Sequence, residues 1–426
     1  MTTVIDNARI VLPDQVIEGR LVIEGDRICS LGAEAVPQGS VLLDAEGDFL
    51  IPGAIDLHGD DIEFEIGALG PRAGSRRMPV EVGLMQSDKN AVAWGITTKL
   101  HAIAYFEDEA KGRSKRLSGA IMDAIARYQD EGQLLAEHWV DLRYEVTADP
   151  DYTLEAMAHP VVRMISIMDH TPGEGQFADI EAYKSLNRQL TDADDSELEE
   201  LVMEKIARRN LKGEHQARVG ARARDLGLLV ASHDDISAAK VDEMHALGAR
   251  LAEMPVRIEA AERARSLGWT VTMAGPNILR GGSASGNLNA VDALAAEALD
   301  AICSDYYPPS LICGAFRFVE EGRADLPKAI ALITHGPARA LGLTDRGRIA
   351  PGLRADLALV STRLGHPVVR HTWRGGRTVY RDHRFNQTAN RRSTQEVLTC
   401  DVTLCSSGPR PLPSPASAPS PWRPRP

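Results

Sequence analysis

Ile51-Pro-Gly-Ala-Ile-Asp-Leu-His-Gly-Asp60 is the stretch that decides the fold. It reads as a short apolar strand that breaks at Pro52-Gly53, resumes, and ends on His58 and Asp60. Because side chains along a strand alternate with a period of two, the imidazole and the carboxylate point the same way and can hold one ion. Further carboxylates follow directly in the sequence, so this pattern favours a metal site at the end of a strand.

Length and composition indicate a globular protein. The chain has 426 residues, of which 43% are hydrophobic, and this suits one barrel with a small companion domain. The formal net charge of −12 argues against nucleic acid or an anionic membrane as the main partner. A polyanionic substrate stays compatible with this charge, because local arginines and lysines can still form a basic pocket.

The cysteines and the first residues favour a cytoplasmic location. Five cysteines show no C-x-x-C spacing, and their odd number is typical of a reduced setting. No basic region followed by an apolar run opens the chain, and no apolar stretch approaches the length that spans a bilayer. We therefore expect a soluble protein that acts on a small molecule. The sequence leaves a homo-oligomer open.

The chain shows two different patterns of predicted secondary structure. Residues 1–52 read as short strands separated by turn residues, such as Ala8–Leu12 and Arg20–Glu24. From residue 53 to 342, apolar strand tips alternate with amphipathic helices, among them Leu117–Gln129 and Asp195–Gly227. After the first strand, the predicted tips are Thr97–Ala102, Val140–Val146, Val162–Met168, Leu228–His233, Thr270–Ala274 and Ala301–Asp305.

These patterns predict an α/β fold with a small β domain. Repeated β–α units over residues 53–342 fit a (β/α)8 TIM-like barrel of the metal-dependent hydrolase type, since no Gly-x-Gly-x-x-Gly follows the first strand. Residues 343–383 again show the pattern of short strands. We expect them to pair with residues 1–52 in a β-sandwich domain built from both termini. Residues 384–426 lose all periodicity and become rich in Pro, Ser and Arg, which predicts a disordered tail.

Side chains that can bind a metal ion lie at the ends of several predicted strands. In a barrel the C-terminal ends of the strands converge on one mouth, where catalytic groups lie. Residues from distant parts of the sequence can therefore meet there. The six candidate metal ligands are His58, Asp60, Glu145, His170, His233 and Asp305.

A ligand set of imidazoles and carboxylates without thiolate suits a divalent ion such as zinc, with manganese or iron as alternatives. One ion or two are compatible with six ligands, because Glu145 can bridge two ions through its two oxygens. Asp305 is the predicted catalytic residue. It would act as ligand and general base together, taking the proton of the attacking water and later delivering it to the leaving group.

A glycine-rich loop offers a second kind of chemistry. Its glycines allow close backbone approach, while its hydroxyls and one guanidinium can pair with phosphate oxygens. The predicted substrate-binding residues in this loop are Arg280, Gly281, Gly282, Ser283, Ser285 and Asn287. Arg72 and Arg76 lie in another basic loop, for which phosphate contact and a solvated surface both stay open. Tyr306 is a further candidate for contact with sugar or phosphate.

Several longer motifs resemble the amidohydrolase superfamily. Within it, they are similar to the branch of the α-D-ribose 1-methylphosphonate 5-triphosphate diphosphatases of the carbon–phosphorus lyase pathway. The resemblance covers about residues 1–382, and its motifs are long enough to be specific. They are Asp56–Glu63, Trp94–Thr98, Ile167–Phe177, Ala231–Asp235, Gly275–Asn287 and Ser304–Leu311.

The resemblance implies the hydrolysis of a ribose 5-triphosphate to its 5-phosphate and pyrophosphate during phosphonate utilisation. It places the metal centre at the same six residues that close the strand tips. The chain departs from the branch at Asp61, where an Asn is usual, and at Ala284, where a His is usual. Two other hypotheses stay open: another amidohydrolase reaction, such as cyclic amide hydrolysis or deamination, and a non-catalytic subunit of the phosphonate pathway.

Overall fold

A computed structural model describes most of the chain. The described residues are 2–32, 38–67, 77–107, 113–172, 180–190, 194–207, 212–283 and 286–386. Most of the predicted tail, and with it the prediction of disorder over residues 384–426, lies outside this range. Arg72, Arg76, Ala284 and Ser285 also lie outside it.

One eight-stranded sheet is formed by both ends of the described chain. Its strands are β1 (Thr2–Val11), β2 (Val16–Glu24), β3 (Arg27–Gly32), β4 (Val41–Asp44), β5 (Phe49–Pro52), β14 (Leu357–Ser361), β15 (Val368–Arg374) and β16 (Arg377–Arg381). Their order is β16-β15-β14-β5-β1-β2-β3, and β4 pairs with β1. This separate sheet fits the predicted β-sandwich domain, although the exact domain boundaries stay a prediction.

A second sheet forms the barrel. Its strands are β6 (Ala54–Gly59), β7 (Ile96–Ala104), β8 (Glu137–Glu145), β9 (Val162–Met168), β10 (Leu229–His233), β11 (Leu251–Glu253), β12 (Thr270–Ala274) and β13 (Ala301–Cys303). Each strand is parallel to its neighbour in chain order. A parallel bridge between Gly59 and Asp305 joins the first strand to the segment after the last. The TIM-like barrel is therefore confirmed.

Fourteen α-helices lie in the described residues. They are α1 (Asp61–Glu65), α2 (Val80–Ala93), α3 (Lys115–Asp130), α4 (Pro150–Ala156), α5 (Ile180–Leu190), α6 (Asp195–Ala207), α7 (Lys212–Leu226), α8 (Ala238–Ala246), α9 (Ile258–Ser266), α10 (Gly275–Arg280), α11 (Ala290–Ala295), α12 (Ser310–Glu320), α13 (Leu326–Ala331) and α14 (His335–Ala340). A 3-10 helix spans His383–Asn386. Within the described part of the chain, no helix combines the length and apolarity needed to cross a membrane.

Burial explains why the barrel strands read as nearly continuous apolar runs. All nine residues of β7 are buried, because helices cover the outside of the barrel and side chains fill its inside. Leu57, Leu100, Met164 and Leu251, from four different strands, belong to one buried cluster. Side chains cap the starts of four described helices, α3, α4, α8 and α13. At the start of α3, for example, the Ser114 hydroxyl accepts the backbone N–H of Leu117 at 3.2 Å.

The structure refines the predicted elements at two points. The short strand expected at Ala8–Leu12 is part of a longer strand, β1, in which the pairing with β2 shifts between Ile5 and Ala8. Asn7 lies there with φ of 54°, so a bulge explains why the sequence looked interrupted. The barrel strand β11 was absent from the predicted set, because three residues are too short to show a pattern.

Gly53, the residue that joins the first sheet to the barrel, is closely packed against the next barrel strand. A Cβ atom added at Gly53 would lie 2.5 Å from Thr97 Cγ2, well inside van der Waals contact. We predict that Gly53→Ala lowers stability by about 1–3 kcal/mol, as overpacking does, and hence lowers the melting temperature. Gly213→Ala is the matched control, since a Cβ there meets nothing within 4 Å. Equal melting temperatures for the two variants, measured by calorimetry, would contradict the tight fit.

Candidate active site

All six predicted metal ligands lie at the C-terminal ends of barrel strands. His58 and Asp60 come from the end of β6 and the residue after it, Glu145 ends β8, and His233 ends β10. His170 follows β9, and Asp305 follows β13. Four of the six are buried, whereas Asp60 and Asp305 are half-buried. The strands thus deliver side chains from positions 58 to 305 to one end of the barrel.

Direct contacts link the histidines and their neighbours. His58 Nε2 lies 3.9 Å from Asp60 Oδ1. The ring of His233 lies between the other two, with centroid distances of 5.6 Å to His58 and 6.1 Å to His170. Glu145 Oε2 lies 2.9 Å from His170 Nδ1. These residues therefore form one continuous cluster, as expected for ligands of a shared centre.

Two groups in this cluster could each hold a metal ion. Ligand atoms of His58, His233 and Glu253 lie within 4.8 Å of one another, and so do ligand atoms of His170, His233 and Asp234. His233 Nε2 is buried and makes no hydrogen bond within the described residues, although burying an imidazole nitrogen without a partner is costly. A cation at this nitrogen would satisfy it. The donor set therefore fits a divalent ion.

Asp234 is a site residue outside the six predicted ligands. Its Oδ2 lies 3.0 Å from His233 Nδ1 and 3.7 Å from His170 Nε2. Burial alone would raise the pKa of Asp234, but the neighbouring His233 and His170 hold that pKa well below its usual range. The residue is thus ionised and lies between two histidines. Its φ of 58° is a conformation that non-glycine residues rarely adopt and that recurs at functional sites.

Two buried carboxyl groups that the predicted set did not include lie beside Nδ1 of His58. His58 Nδ1 lies 3.1 Å from Glu253 Oε1 and 3.2 Å from Asp141 Oδ2. An imidazole that donates Nδ1–H to a carboxylate keeps its Nε2 lone pair free for a metal. Both oxygens of Glu253 are engaged, since Oε2 accepts the Ser166 hydroxyl. We therefore interpret Glu253 as a residue that positions His58.

Ser166 connects these two carboxyl groups through its hydroxyl. Ser166 Oγ lies 2.7 Å from Asp141 Oδ1 and 2.7 Å from Glu253 Oε2. A hydroxyl has one hydrogen and can donate to only one acceptor, so the other carboxyl group must itself donate. Burial and the nearby charge of Glu253 raise the pKa of Asp141, whereas His58 outweighs burial and lowers the pKa of Glu253. These opposite shifts of the two pKa values favour a proton on Asp141 over one on Glu253.

Asp305 is held at the point where the barrel closes. Its backbone N–H donates to the His58 carbonyl at 2.9 Å, and its carbonyl accepts the N–H of Asp60 at 2.7 Å. Asp305 has a φ of 56°. Burial, together with the charge of Asp60, raises the pKa of Asp305 to about 6. This carboxyl group can therefore take up and release a proton near neutral pH.

Arg280 and Tyr306 lie together on an exposed surface. The Arg280 guanidinium lies over the Tyr306 ring, 5.8 Å from its centroid, and the ring of Phe64 lies 6.0 Å from that of Tyr306. Arg280 also donates to Asn277 Oδ1 at 2.7 Å. Tyr306 follows Asp305 directly in the chain, so these contacts connect Arg280 to the strand end that carries Asp305.

The described part of the glycine-rich loop uses its backbone N–H groups internally. Gly282 donates to the Asn277 carbonyl at 2.8 Å, and Ser283 donates to Asn289 Oδ1 at 2.8 Å. Asn287 donates to Ser283 Oγ at 3.3 Å, and Gly281 ends α10 with φ of 84°. Phosphate contacts in this part of the loop would thus come mainly from side chains. The substrate-binding role of these residues stays a prediction.

The departure at Asp61 has a physical explanation away from the ligand cluster. The Asp61 carboxylate forms an ion pair with the ammonium of Lys99, which is fully buried. Ser87 Oγ completes this group, donating to Asp61 at 2.7 Å and accepting from Lys99 at 3.2 Å. An asparagine could not neutralise a buried ammonium. Asp61 therefore acts as the counter-ion of Lys99.

Comparisons with known proteins agree with this geometry. Residues 188–380 match the model of the amidohydrolase family. The chain is 37% identical over 385 residues to the α-D-ribose 1-methylphosphonate 5-triphosphate diphosphatase of Escherichia coli K12, an alignment that covers 88% of this chain and all of that protein.

Solved structures show the same fold. N-isopropylammelide isopropylaminohydrolase from Burkholderia multivorans superposes with a TM-score of 0.60 at 18% identity, covering 89% of this chain and 98% of that one. Dihydropyrimidinase from Brevibacillus agri superposes with a TM-score of 0.59 at 16% identity, covering 89% and 95%. At such identities the likeness concerns the fold.

Metal content should distinguish a ligand from a positioning residue. We predict that His58→Ala removes most of the metal that copurifies with the protein. Glu253→Gln should retain metal but bind it about 10- to 100-fold more weakly, the usual effect of losing a hydrogen-bond partner behind a ligand. Elemental analysis and chelator competition measure the two effects, with His366→Ala, an exposed histidine, as control. Full occupancy and unchanged affinity in both variants would show that the site lies elsewhere.

Proposed function

Because the chain belongs to the amidohydrolase superfamily, we propose that it hydrolyses α-D-ribose 1-methylphosphonate 5-triphosphate to the 5-phosphate and pyrophosphate. The observation that carries this proposal is the 37% identity to a diphosphatase of that name over the whole length of that protein. The cluster of imidazoles and carboxylates at the barrel mouth supports it. The protein would thus be a hydrolase of a phosphoric anhydride bond in phosphonate catabolism.

We propose His58, Asp60, Glu145, His170, His233 and Asp305 as the residues that hold the metal. Asp234 joins this proposal, because its carboxylate lies between two of the histidines. A bound divalent ion, zinc in the first place and manganese or iron as alternatives, would activate water and polarise the phosphoryl group. These seven residues offer enough ligand atoms for one ion or for two.

The protein's own residues would control the proton and the position of the phosphates. In the proposed step, the oxygen of a water forms a bond to the α-phosphorus while the bond to the bridging anhydride oxygen breaks. Pyrophosphate leaves with that electron pair, and Asp305 takes a proton from the attacking water. The raised pKa of Asp305, about 6, suits a group that then returns the proton to the leaving group.

We propose that side chains at the mouth bind the triphosphate. Arg280 and Tyr306 are supported by their mutual contact beside the Asp305 segment. Ser283 and Asn287 offer polar side chains in the same loop, and Gly281 and Gly282 give it its turn. Arg72, Arg76 and Ser285 remain candidates from the sequence alone.

The finer statements on partners and location are also proposals. The net charge of −12 supports a small-molecule substrate held by local cations, with no nucleic-acid or membrane partner. The absence of C-x-x-C spacing supports action in the cytoplasm. A homo-oligomer stays open.

The proposed reaction predicts a clear substrate preference. Metal-loaded protein should release pyrophosphate from ribose 5-triphosphate compounds, because their charges can be met by the guanidinium groups at the mouth. Nucleoside triphosphates and cyclic amides such as dihydroorotate are the comparison substrates, measured side by side for pyrophosphate release and ring opening. Efficient amide turnover without pyrophosphate would leave only the superfamily assignment.

The role of Asp305 predicts both a rate and a pH dependence. Asp305→Asn keeps the shape but removes the basicity, so kcat should fall about 10²-fold or more. The base must be ionised, and a bound cation would lower its pKa from about 6, so kcat/KM of the wild type should fall with decreasing pH only at or below about pH 6. Initial rates from pH 4.5 to 9 measure this. Near-normal turnover of the variant would move the role to another carboxylate.

A further inference from the structure

Arg143 is a buried cation in the middle of the proposed ligands. It lies on β8 two residues before Glu145, so both side chains point to the same side of the strand. Its Nη1 donates to both oxygens of Asp60, at 3.2 and 3.3 Å, and only 7% of the residue is exposed. The same guanidinium is near enough to Asp305 and His233 to affect the pKa of each.

The hydrogen bonds of this guanidinium are incomplete. Its Nε donates to the thioether sulfur of Met168 at 3.0 Å, and a thioether is a weak acceptor. Among the described residues, Nη2 has no acceptor. A guanidinium carries five N–H donors in a fixed fork, so this one retains donors for a further acceptor. The site is thus arranged for an additional anionic acceptor.

The ion pair with Asp60 does not by itself explain why the charged side chain of Arg143 is buried at this site. Asp60 also lies beside His58 Nε2 and is one of the proposed metal ligands. A guanidinium and a divalent cation around one carboxylate repel each other, so additional negative charge would stabilise this arrangement. A phosphoryl group supplies such charge, whereas a neutral amide does not. Arg143 therefore favours a phosphorylated substrate over an amide.

From this geometry we infer that Arg143 binds the phosphoryl group that water attacks, an inference that rests on the proposed function. Nη2, and Nη1 as it turns from Asp60, donate to non-bridging oxygens of the α-phosphate. Charge builds up on these oxygens as the bond to water forms, so a fixed cation at this position stabilises the transition state more than the free substrate. Arg143 takes no proton and forms no covalent bond in the step.

The test separates binding of the phosphate from support of the metal. Ribose 5-phosphate is the probe, because its phosphate has the chemistry of the attacked group after pyrophosphate has left. Arg143→Met removes the charge, and Arg143→Lys retains the charge without the fork. Arg163→Met is the matched control, since Arg163 is exposed and lies at the start of β9, whereas the site lies at that strand's end. Metal content and melting temperature are measured for every variant.

We expect Arg143→Met to retain the metal content of the wild type. Its affinity for ribose 5-phosphate, measured by isothermal titration calorimetry, should fall about 10-fold or more, the scale of a lost charge-assisted hydrogen bond. Its kcat/KM for pyrophosphate release should fall about 10²-fold or more, the scale of one lost transition-state donor. Arg143→Lys should recover part of the binding, and Arg163→Met should match the wild type.

Other outcomes decide the question as clearly. Wild-type affinity for ribose 5-phosphate in Arg143→Met would overturn the inference, and so would a loss of metal in that variant, because Arg143 would then only support Asp60. If Arg143→Met does not fold, weaker binding by Arg143→Lys supports the inference and unchanged binding overturns it. If the wild type releases no pyrophosphate, the proposed function fails, and ribose 5-phosphate binding alone then decides the role of Arg143.

Discussion

The closure of the barrel is the constraint on which the site depends. Two backbone hydrogen bonds, from Asp305 N–H to the His58 carbonyl and from Asp60 N–H to the Asp305 carbonyl, join the segments after the first and last strands. Each contributes only about 1 kcal/mol to stability. They also hold Asp305 in a left-handed conformation that costs roughly 1–2 kcal/mol. The same contacts that close the barrel therefore set the position of the proposed base relative to the ligand pair on β6.

Much of the fold follows from local sequence patterns. Apolar runs that end in His, Asp or Glu are visible without a structure, and the convergence of strand ends predicts that His58, Glu145 and His233 meet. Glu253 shows where this reasoning stops. It ends a strand of only three residues, and its contact with His58 depends on how strands far apart in the sequence face one another across the barrel. No local pattern encodes that register.

Buried charges explain the remaining gaps. Lys99 and Arg143 interrupt apolar strands, and a charged residue in such a strand predicts a partner without identifying it. Lys99 pairs with Asp61, and Arg143 pairs with Asp60. These two aspartates are neighbours in the chain, but their side chains lie in two different charge clusters. The bulge near Gly59, where the pairing of β6 with β7 shifts, is consistent with this separation. Sequence spacing alone could not have distinguished the two aspartates.

An acidic protein could bind the proposed polyanionic substrate through cations that it holds in local ion pairs. Arg143 is paired with Asp60, Arg113 with Glu63, and Lys212 with Asp169. Each acidic residue holds its cation in place, and the pair as a whole carries no net charge. Salt screens the attraction within buried pairs only weakly. Binding of a divalent cation by an acid such as Asp60 would weaken its hold on the guanidinium. The cation then becomes available to phosphate, so metal and phosphorylated substrate should bind with mutual reinforcement rather than independently.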